Sequence, residues 1–285
     1  MPTSIIIGFE YSLNPLPGAY IDIYNAFKWG NSFNSDTYII SDVDYNINKN
    51  NIIQAINNNH IDINIHMLST YPKIILDNGI DLSANIKTIL SYGIIDNKLI
   101  IYYSGHGINN SMIMPNSSLL SFNTFKNIIF QNISHDVEVF IILDCCNPNG
   151  LSLPYKLHDN CFRLITNNHI EFIPNNILLI TSSNENEKSL ATIYGSVFSK
   201  SLFNLLTLMN INYPITTTIN KNSNRNLQRL ISTIKNSIRK LDTGYHQSVS
   251  IYTSFIIDPL LWMWIGSNKN YNIITDSTLN TLIII

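Results

Sequence analysis

Two apolar runs in this sequence end just before residues that can do chemistry. The first, residues 98–103, leads to His106 and its neighbour Gly107, and the second, residues 137–143, leads to Cys146. A thiol and an imidazole are what nucleophilic catalysis by sulfur requires, because the imidazole exchanges protons with the sulfur and with the leaving group. A glycine beside the histidine leaves room for a substrate carbonyl. These positions therefore predict covalent catalysis.

The two runs are predicted to be neighbouring parallel strands. Both are rich in β-branched and aromatic residues and are bounded by Gly, Pro and Asn, which is typical of strands buried on both faces. His106 and Cys146 lie 40 residues apart, enough for one crossover helix, which residues 117–133 can supply. Functional groups of parallel sheets gather beyond the carboxyl ends of the strands. The two residues are therefore expected at one edge of the sheet.

Each residue also has an ordinary structural interpretation. A Cys after an apolar run is usually a small buried hydrophobe, and a single His in a loop usually has no special function. The joint pattern favours catalysis, since both residues stand at strand ends, with Asp144 before the cysteine pair. Because side chains alternate along an extended strand, one of Cys145 and Cys146 faces the cleft and the other faces the core.

At these residues the sequence resembles the caspase-fold cysteine peptidases, and within them the metacaspases. The family carries Tyr-Tyr-Ser-Gly-His-Gly at the base, which residues 102–107 reproduce. It carries Asp-Ser-Cys-His-Ser-Gly at the nucleophile, of which Asp144 and Cys146 are kept. Further likeness, in the family's order, lies in residues 4–11, 16–22, 83–90, 177–182 and 195–199.

The resemblance implies a fold and a domain organisation. The fold is α/β, a caspase-like three-layer α/β/α sandwich with a mostly parallel central sheet. Residues 1–265 form a single domain, with a large-subunit-like region at 1–155, an intersubunit loop at 156–175 and a small-subunit-like region at 176–265. Residues 266–285 form a C-terminal tail.

The resemblance also implies an activity, that of a cysteine endopeptidase that hydrolyses peptide bonds after Arg or Lys through an acyl-enzyme. In that mechanism Cys146 is the nucleophile and His106 its acid–base partner. Backbone N–H groups of Gly107 and Cys146 form the oxyanion hole. Cys145 then points into the core. No cofactor or metal takes part.

An acidic pocket for the residue before the cut bond, P1, follows from the same resemblance. Asp22 and Asp144 supply carboxylates, and Ser104 supplies a hydroxyl. A guanidinium meets a carboxylate with two parallel hydrogen bonds, so Arg or Lys is bound and an Asp substrate is rejected. The alternative for Asp22 is a structural role in the first turn of a helix, where the helix dipole favours a carboxylate.

The sequence departs from the metacaspase pattern at two places. Many metacaspases follow the histidine motif with aspartates that help to hold activating calcium, whereas residues 108–122 contain no Asp or Glu. Residues 147–149, Asn-Pro-Asn, replace His-Ser-Gly. We therefore expect calcium-independent behaviour or no activity. The competing hypothesis is a catalytically weak or inactive caspase-fold protein that regulates partners or captures substrates as a decoy.

Composition limits the partners. The 285 residues carry a net charge of −2, and 13% are charged, which argues against a nucleic-acid or anionic-membrane surface. Three cysteines give no disulfide framework, and neither a secretory signal nor an apolar stretch of spanning length is evident. We expect a cytoplasmic protein that acts on protein or peptide substrates. By resemblance to metacaspases, it is a monomer.

The remaining elements follow from apolar periodicity. An Asn-rich surface insertion is expected over residues 45–80, with an added strand at 61–68, and irregular chain over 151–175. In that loop Lys156 and Arg163 are candidate self-cleavage sites, although a solvated loop charge is the commoner role. Strands are predicted at 5–11, 37–40, 177–181 and 249–253, and helices at 19–33, 196–209 and 226–241. The resemblance to the caspase fold implies a further helix at 83–90.

Overall fold

The computed structural model describes most of the chain. The described residues are 2–42, 74–148, 151–165, 175–212, 227–239 and 247–254, without positions 17, 33, 78, 80, 159 and 160.

Strands and helices alternate through the described residues. The strands are β1 (Thr3–Gly8), β2 (Asp36–Ser41), β3 (Ile74–Leu76), β4 (Lys98–Ser104), β5 (Gly107–Ile108), β6 (Ser111–Ile113), β7 (Leu119–Ser121), β8 (Glu138–Asp144), β9 (Tyr155–His158), β10 (Cys161–Leu164), β11 (Ile177–Thr181), β12 (Ala191–Thr192), β13 (Gly195–Ser196) and β14 (Ser250–Thr253). The helices are α1 (Ala19–Asn31), α2 (Leu82–Ser91), α3 (Phe122–Phe130), α4 (Val197–Asn212) and α5 (Leu227–Arg239).

A nine-stranded sheet of the described residues forms the centre, in the order β10-β9-β14-β11-β8-β4-β1-β2-β3. The run from β11 to β3 is parallel, and β14, β9 and β10 are added antiparallel. β4 and β8, the predicted pair, are adjacent and parallel, with Ser104 opposite Asp144 at their carboxyl ends. The mostly parallel sheet expected from the sequence is confirmed.

Alternate strand residues build two separate cores, which gives the three layers. In β1, Ile6 packs with helices α1, α4 and α5 on one face, and Ile5 and Ile7 pack with α2 and α3 on the other. Residues such as these are almost fully buried, and each large apolar side chain contributes about 1.5–3 kcal/mol by leaving water. The α/β/α sandwich is therefore confirmed.

Most predicted elements are present with small changes of boundary. The predicted crossover helix is confirmed but shorter, because residues 119–121 pair as β7 and Ser121 caps α3 by accepting the N–H of Thr124 at 3.0 Å. The predicted insertion contributes β3, which pairs with β2. Its Asn-rich part and the predicted strand at 61–68 lie outside the described residues, as does the C-terminal tail.

The expectation of irregular chain over residues 151–175 was wrong for eight of them. Tyr155–His158 and Cys161–Leu164 form an antiparallel hairpin, β9 and β10, and β9 pairs with β14. Lys156 is thus part of a strand with neighbours on both sides. No helix in the described part of the chain has the length and apolar character needed to cross a membrane.

Candidate active site

The end of β8 presents its side chains alternately to the two faces of the sheet. Cys145 is 1% exposed and packs in the core beneath the sheet, whereas Cys146 is partly exposed. Burial, with the charge of Asp144 nearby, raises the pKa of the Cys145 thiol well above its usual range, which keeps it protonated and unreactive. The structure thus agrees with the alternation expected from the sequence.

His106 follows β4 in a short loop beside the turn that leaves β1. Its Nε2 lies 2.7 Å from the carbonyl oxygen of Asn14, and its ring centroid lies 4.6 Å from that of Tyr11. A carbonyl can only accept, so the neutral imidazole carries its proton on Nε2 and keeps Nδ1 as an acceptor. This is the form that can take a proton from a thiol. Sequence reasoning missed Asn14, since a main-chain acceptor leaves no signal in the residue type.

Gly107 brings the histidine loop against the nucleophile loop. A β-carbon at position 107 would collide with the carbonyl oxygen of Cys146 and would lie 3.2 Å from the Cys145 sulfur. Only glycine permits this approach, which holds the two loops together.

One pocket of about 290 Å³ collects the predicted site residues. His106 and Cys146 line it together with Asp22, Ser104 and Asp144. The structure thus brings five of the six predicted residues to one cavity, and the sixth, Gly107, is next to His106.

Asp22 reaches this pocket from α1 and is 2% exposed. Its carboxylate accepts the N–H of Ser196 at 2.9 Å and the hydroxyl of Ser104 at 3.1 Å. These partners lie outside the first turn of its own helix, so the carboxylate faces the pocket. Gly195 permits this contact, because a β-carbon there would lie 2.6 Å from the Asp22 carboxylate. Burial, followed by the charge of Asp144, raises the pKa of Asp22 well above its usual range.

Asp144 is 4% exposed and is surrounded by serine hydroxyls. Ser189 donates to Oδ1 at 2.9 Å, and Ser199 donates to Oδ2. Burial raises the pKa of Asp144, and the hydroxyl donors partly oppose that shift. The pocket therefore holds two carboxylates that are solvated by hydroxyls and one N–H instead of by a cation.

Ser189 also contacts Cys146, the predicted nucleophile, which sequence reasoning did not foresee. Its backbone N–H donates to Cys146 Sγ at 3.3 Å, while its side chain donates to Asp144. Gln247 supports the same segment by accepting the N–H of Leu190 at 3.0 Å. Ser189 ends a polar stretch, residues 182–189, that has no apolar periodicity, so no pattern marked it.

Comparisons with known proteins agree with this geometry. A model of the peptidase C14 caspase domain matches residues 96–259, more than half of the chain. The chain belongs to the caspase-domain family. The matched region includes His106 and Cys146, whereas Asp22 lies before it.

A solved structure shows the same caspase fold. The crystal structure of caspase-1 from Spodoptera frugiperda superposes with a TM-score of 0.53 at 12% sequence identity, over 88% of this chain and 86% of that chain. No curated protein sequence gives a significant match. The chain is thus a caspase-fold member of a cysteine peptidase family, as the resemblance of its motifs implied.

Among the residues that the structure describes, no group of three or more His, Cys, Asp or Glu side chains is placed to hold a metal ion. Residues 108–122, where metacaspases carry acidic residues, form most of a small three-stranded sheet, β5-β6-β7, and the start of α3. Calcium independence stays a prediction.

Proposed function

We propose that this caspase-fold protein is a metacaspase-type cysteine endopeptidase that cleaves peptide bonds after Arg or Lys. One observation carries the proposal. Two buried carboxylates, Asp22 and Asp144, line the same pocket as Cys146 and His106. Such a pocket selects a cationic side chain and places the bond that follows it beside the sulfur.

The electrostatics of the pocket favour a basic P1 residue. A guanidinium can donate two parallel hydrogen bonds to a carboxylate and can replace the serine donors that now solvate Asp144. An Asp side chain would add a further negative charge to an acidic pocket, and an uncompensated buried charge costs several kcal/mol. Apart from His106, the basic residue that lines the pocket is Lys188, which is exposed.

The proposed reaction uses Cys146 and His106 in sequence. The imidazole accepts the thiol proton at Nδ1 as the sulfur forms a bond to the scissile carbonyl carbon. N–H groups of Gly107 and Cys146 hold the oxyanion, and such a donor typically contributes about 3 kcal/mol. The C–N bond then breaks as the imidazolium gives its proton to the leaving amine. Water, deprotonated by the imidazole, cleaves the thioester and restores the thiol.

One observation favours the rival function, a weakly active or inactive binding protein. The Ser189 N–H donates to the Cys146 sulfur at 3.3 Å, so the segment that carries Ser189 lies against the proposed nucleophile. A substrate must displace this contact before attack. If it cannot, basic peptides bind the pocket without being cut.

A peptide panel separates the two functions. Peptides that differ only in P1, with Arg, Lys, Gln or Asp before a fluorescent leaving amine, are assayed with calcium and with a chelator. We expect turnover of the Arg and Lys peptides in both conditions. Cys146→Ala should abolish turnover, while Cys145→Ala, its adjacent control, should keep most of it.

Three outcomes would contradict the proposal. Binding of the Arg peptide without turnover by the wild type would support the decoy function. Cleavage after Asp, or equal turnover by Cys146→Ala, would reject the specificity or the nucleophile.

The proposal includes a monomer in the cytoplasm. The hairpin β9-β10 covers the outer edge of β14 and leaves the four-residue strand β10 as the outermost described strand, a short template for pairing with a second copy. The free thiols of Cys145 and Cys146 fit a reducing compartment.

A further inference from the structure

Two tyrosine hydroxyls hold the backbone of His106 from both sides. Tyr11 accepts the N–H of His106 at 2.8 Å, and Tyr103 donates to the carbonyl oxygen of His106 at 2.8 Å. The two hydroxyls lie 3.2 Å apart. A β-carbon at Gly105 would lie 2.5 Å from each of them, so the glycine is what lets both reach the peptide.

Tyr11 also contacts the imidazole itself. The two ring centroids lie 4.6 Å apart at an interplanar angle of 40°. Three residues further along the same turn, the carbonyl of Asn14 binds Nε2. The turn after β1 therefore fixes the ring by a tilted contact at Tyr11 and by a hydrogen bond at Asn14.

Asp42, just after β2, holds this turn in place. Its two carboxylate oxygens accept the backbone N–H groups of Glu10 at 2.7 Å and Tyr11 at 2.9 Å. Tyr11 has a φ of +61°, a left-handed conformation that non-glycine residues rarely adopt. Such a conformation persists where surrounding contacts determine it. The two hydrogen bonds that Asp42 accepts from this turn are among those contacts.

We propose that Tyr11 is a positioning residue for the peptidase reaction, one that acts through His106 and is itself held by Asp42. The inference rests on the proposed function only in so far as His106 is the acid–base group. Tyr11 is 6% exposed, and burial raises the pKa of its hydroxyl, so it stays protonated and donates to the carbonyl of Ile113 at 2.8 Å while it accepts from His106.

The position of the imidazole should affect the hydrolysis of amides more than that of esters. An amine leaves only when the imidazolium has given it a proton, whereas an alcohol leaves with less assistance. Misplacement of a catalytic group by about 1 Å can cost about 100-fold in rate. Loss of the Tyr11 hydroxyl should therefore slow amide hydrolysis more than ester hydrolysis of the same Arg acyl group.

The test compares Tyr11→Phe, which keeps the ring, with Tyr20→Phe, which removes a hydroxyl from a residue of equal exposure on α1. For amides, we expect kcat to fall about tenfold to 100-fold in Tyr11→Phe with KM nearly unchanged, and for esters a smaller fall. Tyr20→Phe should keep both rates. Equal loss on amide and ester, or a change confined to KM, would overturn the proposal.

A second measurement needs no turnover. Proton NMR of His106, assigned by comparison with His106→Asn, reports the ring-current shift from Tyr11 and the imidazole titration. We expect both to move in Tyr11→Phe and, by less, in Asp42→Asn, and to stay unchanged in Tyr20→Phe. Unchanged His106 signals in both variants would overturn the positioning role. A wild type that lacks peptidase activity but shows these shifts would instead reject the proposed function and keep the contact.

Discussion

Asp22 is buried where its ionised form is poorly solvated. Its ionisation therefore lowers the stability of the folded protein by an amount that depends on pH. Its pKa in the folded protein is raised from 3.8, chiefly by burial and then by Asp144, so folding favours its protonated form. The stability carried by protonated Asp22 is complete below its ordinary pKa and is lost as pH rises through the raised value.

We predict that Asp22→Asn melts at a higher temperature than the wild type at neutral pH and that the difference disappears as pH falls below about 4. Thermal unfolding across a pH series measures this. In the same variant kcat/KM for the Arg peptide should fall by about 30-fold or more, because removing one charge from a buried pair costs about 2–5 kcal/mol. Asp136→Asn, an exposed control, should change neither. A melting difference that is constant with pH would contradict the prediction.

For individual residues, the sequence indicated which side chains would face the pocket but did not indicate their main-chain hydrogen-bond partners. The alternation along β8 separated Cys145 from Cys146 because a strand end allows only two directions. The carbonyl of Asn14 and the N–H of Ser189 were missed, since every residue has these groups and only the fold decides which of them face the site.

Ser189 lies in the segment between β11 and β12, and the carboxylate of Glu187 holds this segment through hydrogen bonds. Glu187 accepts the backbone N–H of Asn184 at 3.1 Å and that of Ser248 at 2.8 Å. Its own carbonyl accepts the N–H of Asn147, which follows Cys146, at 2.9 Å. Partial burial raises the pKa of Glu187, but these hydrogen bonds outweigh it and leave the pKa lowered.

We predict that Glu187→Gln loosens this segment, costs about 1 kcal/mol of stability and raises KM for the Arg peptide. Because the folded pKa is lowered, the stability due to Glu187 is present above its ordinary value of 4.5 and is lost as pH falls through the folded value. Denaturant unfolding at pH 7 and below pH 4 measures the difference. Glu185→Gln is the exposed control. An equal effect of the two substitutions would contradict a specific role for Glu187.

The hairpin β9-β10 makes self-cleavage after Lys156 unfavourable. Lys156 lies in a strand paired on both sides, its Nζ donates to Asn184 Oδ1 at 3.0 Å, and it lies 5.1 Å from the ring centroid of Tyr252. A protease needs an extended, unpaired segment. We predict that prolonged incubation leaves the bond after Lys156 intact and that Lys156→Gln does not alter any fragment pattern by mass spectrometry. A fragment that ends at Lys156 in the folded wild type would contradict this.

The sequence did not reveal this hairpin because its strands are only four residues long. Alternation over four residues, with Lys156, His158 and Arg163 among them, also fits a polar loop. The pairing that makes them strands comes from β14, more than 90 residues further along the chain. Longer apolar runs such as β4 and β8 needed no such partner to be recognised.

The central sheet covers one strand edge that a second copy could otherwise pair with, that of β14. Strand β9 lies against it, and β10, four residues long, is the outermost described strand on that side. An exposed strand is a template for pairing with another chain, and a very short edge strand offers a poorer template. The amino-acid composition could not show which strand forms this edge, because the edge of a sheet is set by topology.

We therefore predict a monomer of 32.4 kDa in solution, measured by light scattering or sedimentation over micromolar concentrations. Peptidase activity per mole should be independent of protein concentration, since both Asp22 and the Cys146–His106 pair come from one chain. A Cys146→Ala variant guards against mass changes from self-cleavage and should sediment as the wild type does. A stable species of twice the mass, or activity that rises with concentration, would show that another edge pairs and that the cover on β14 does not decide assembly.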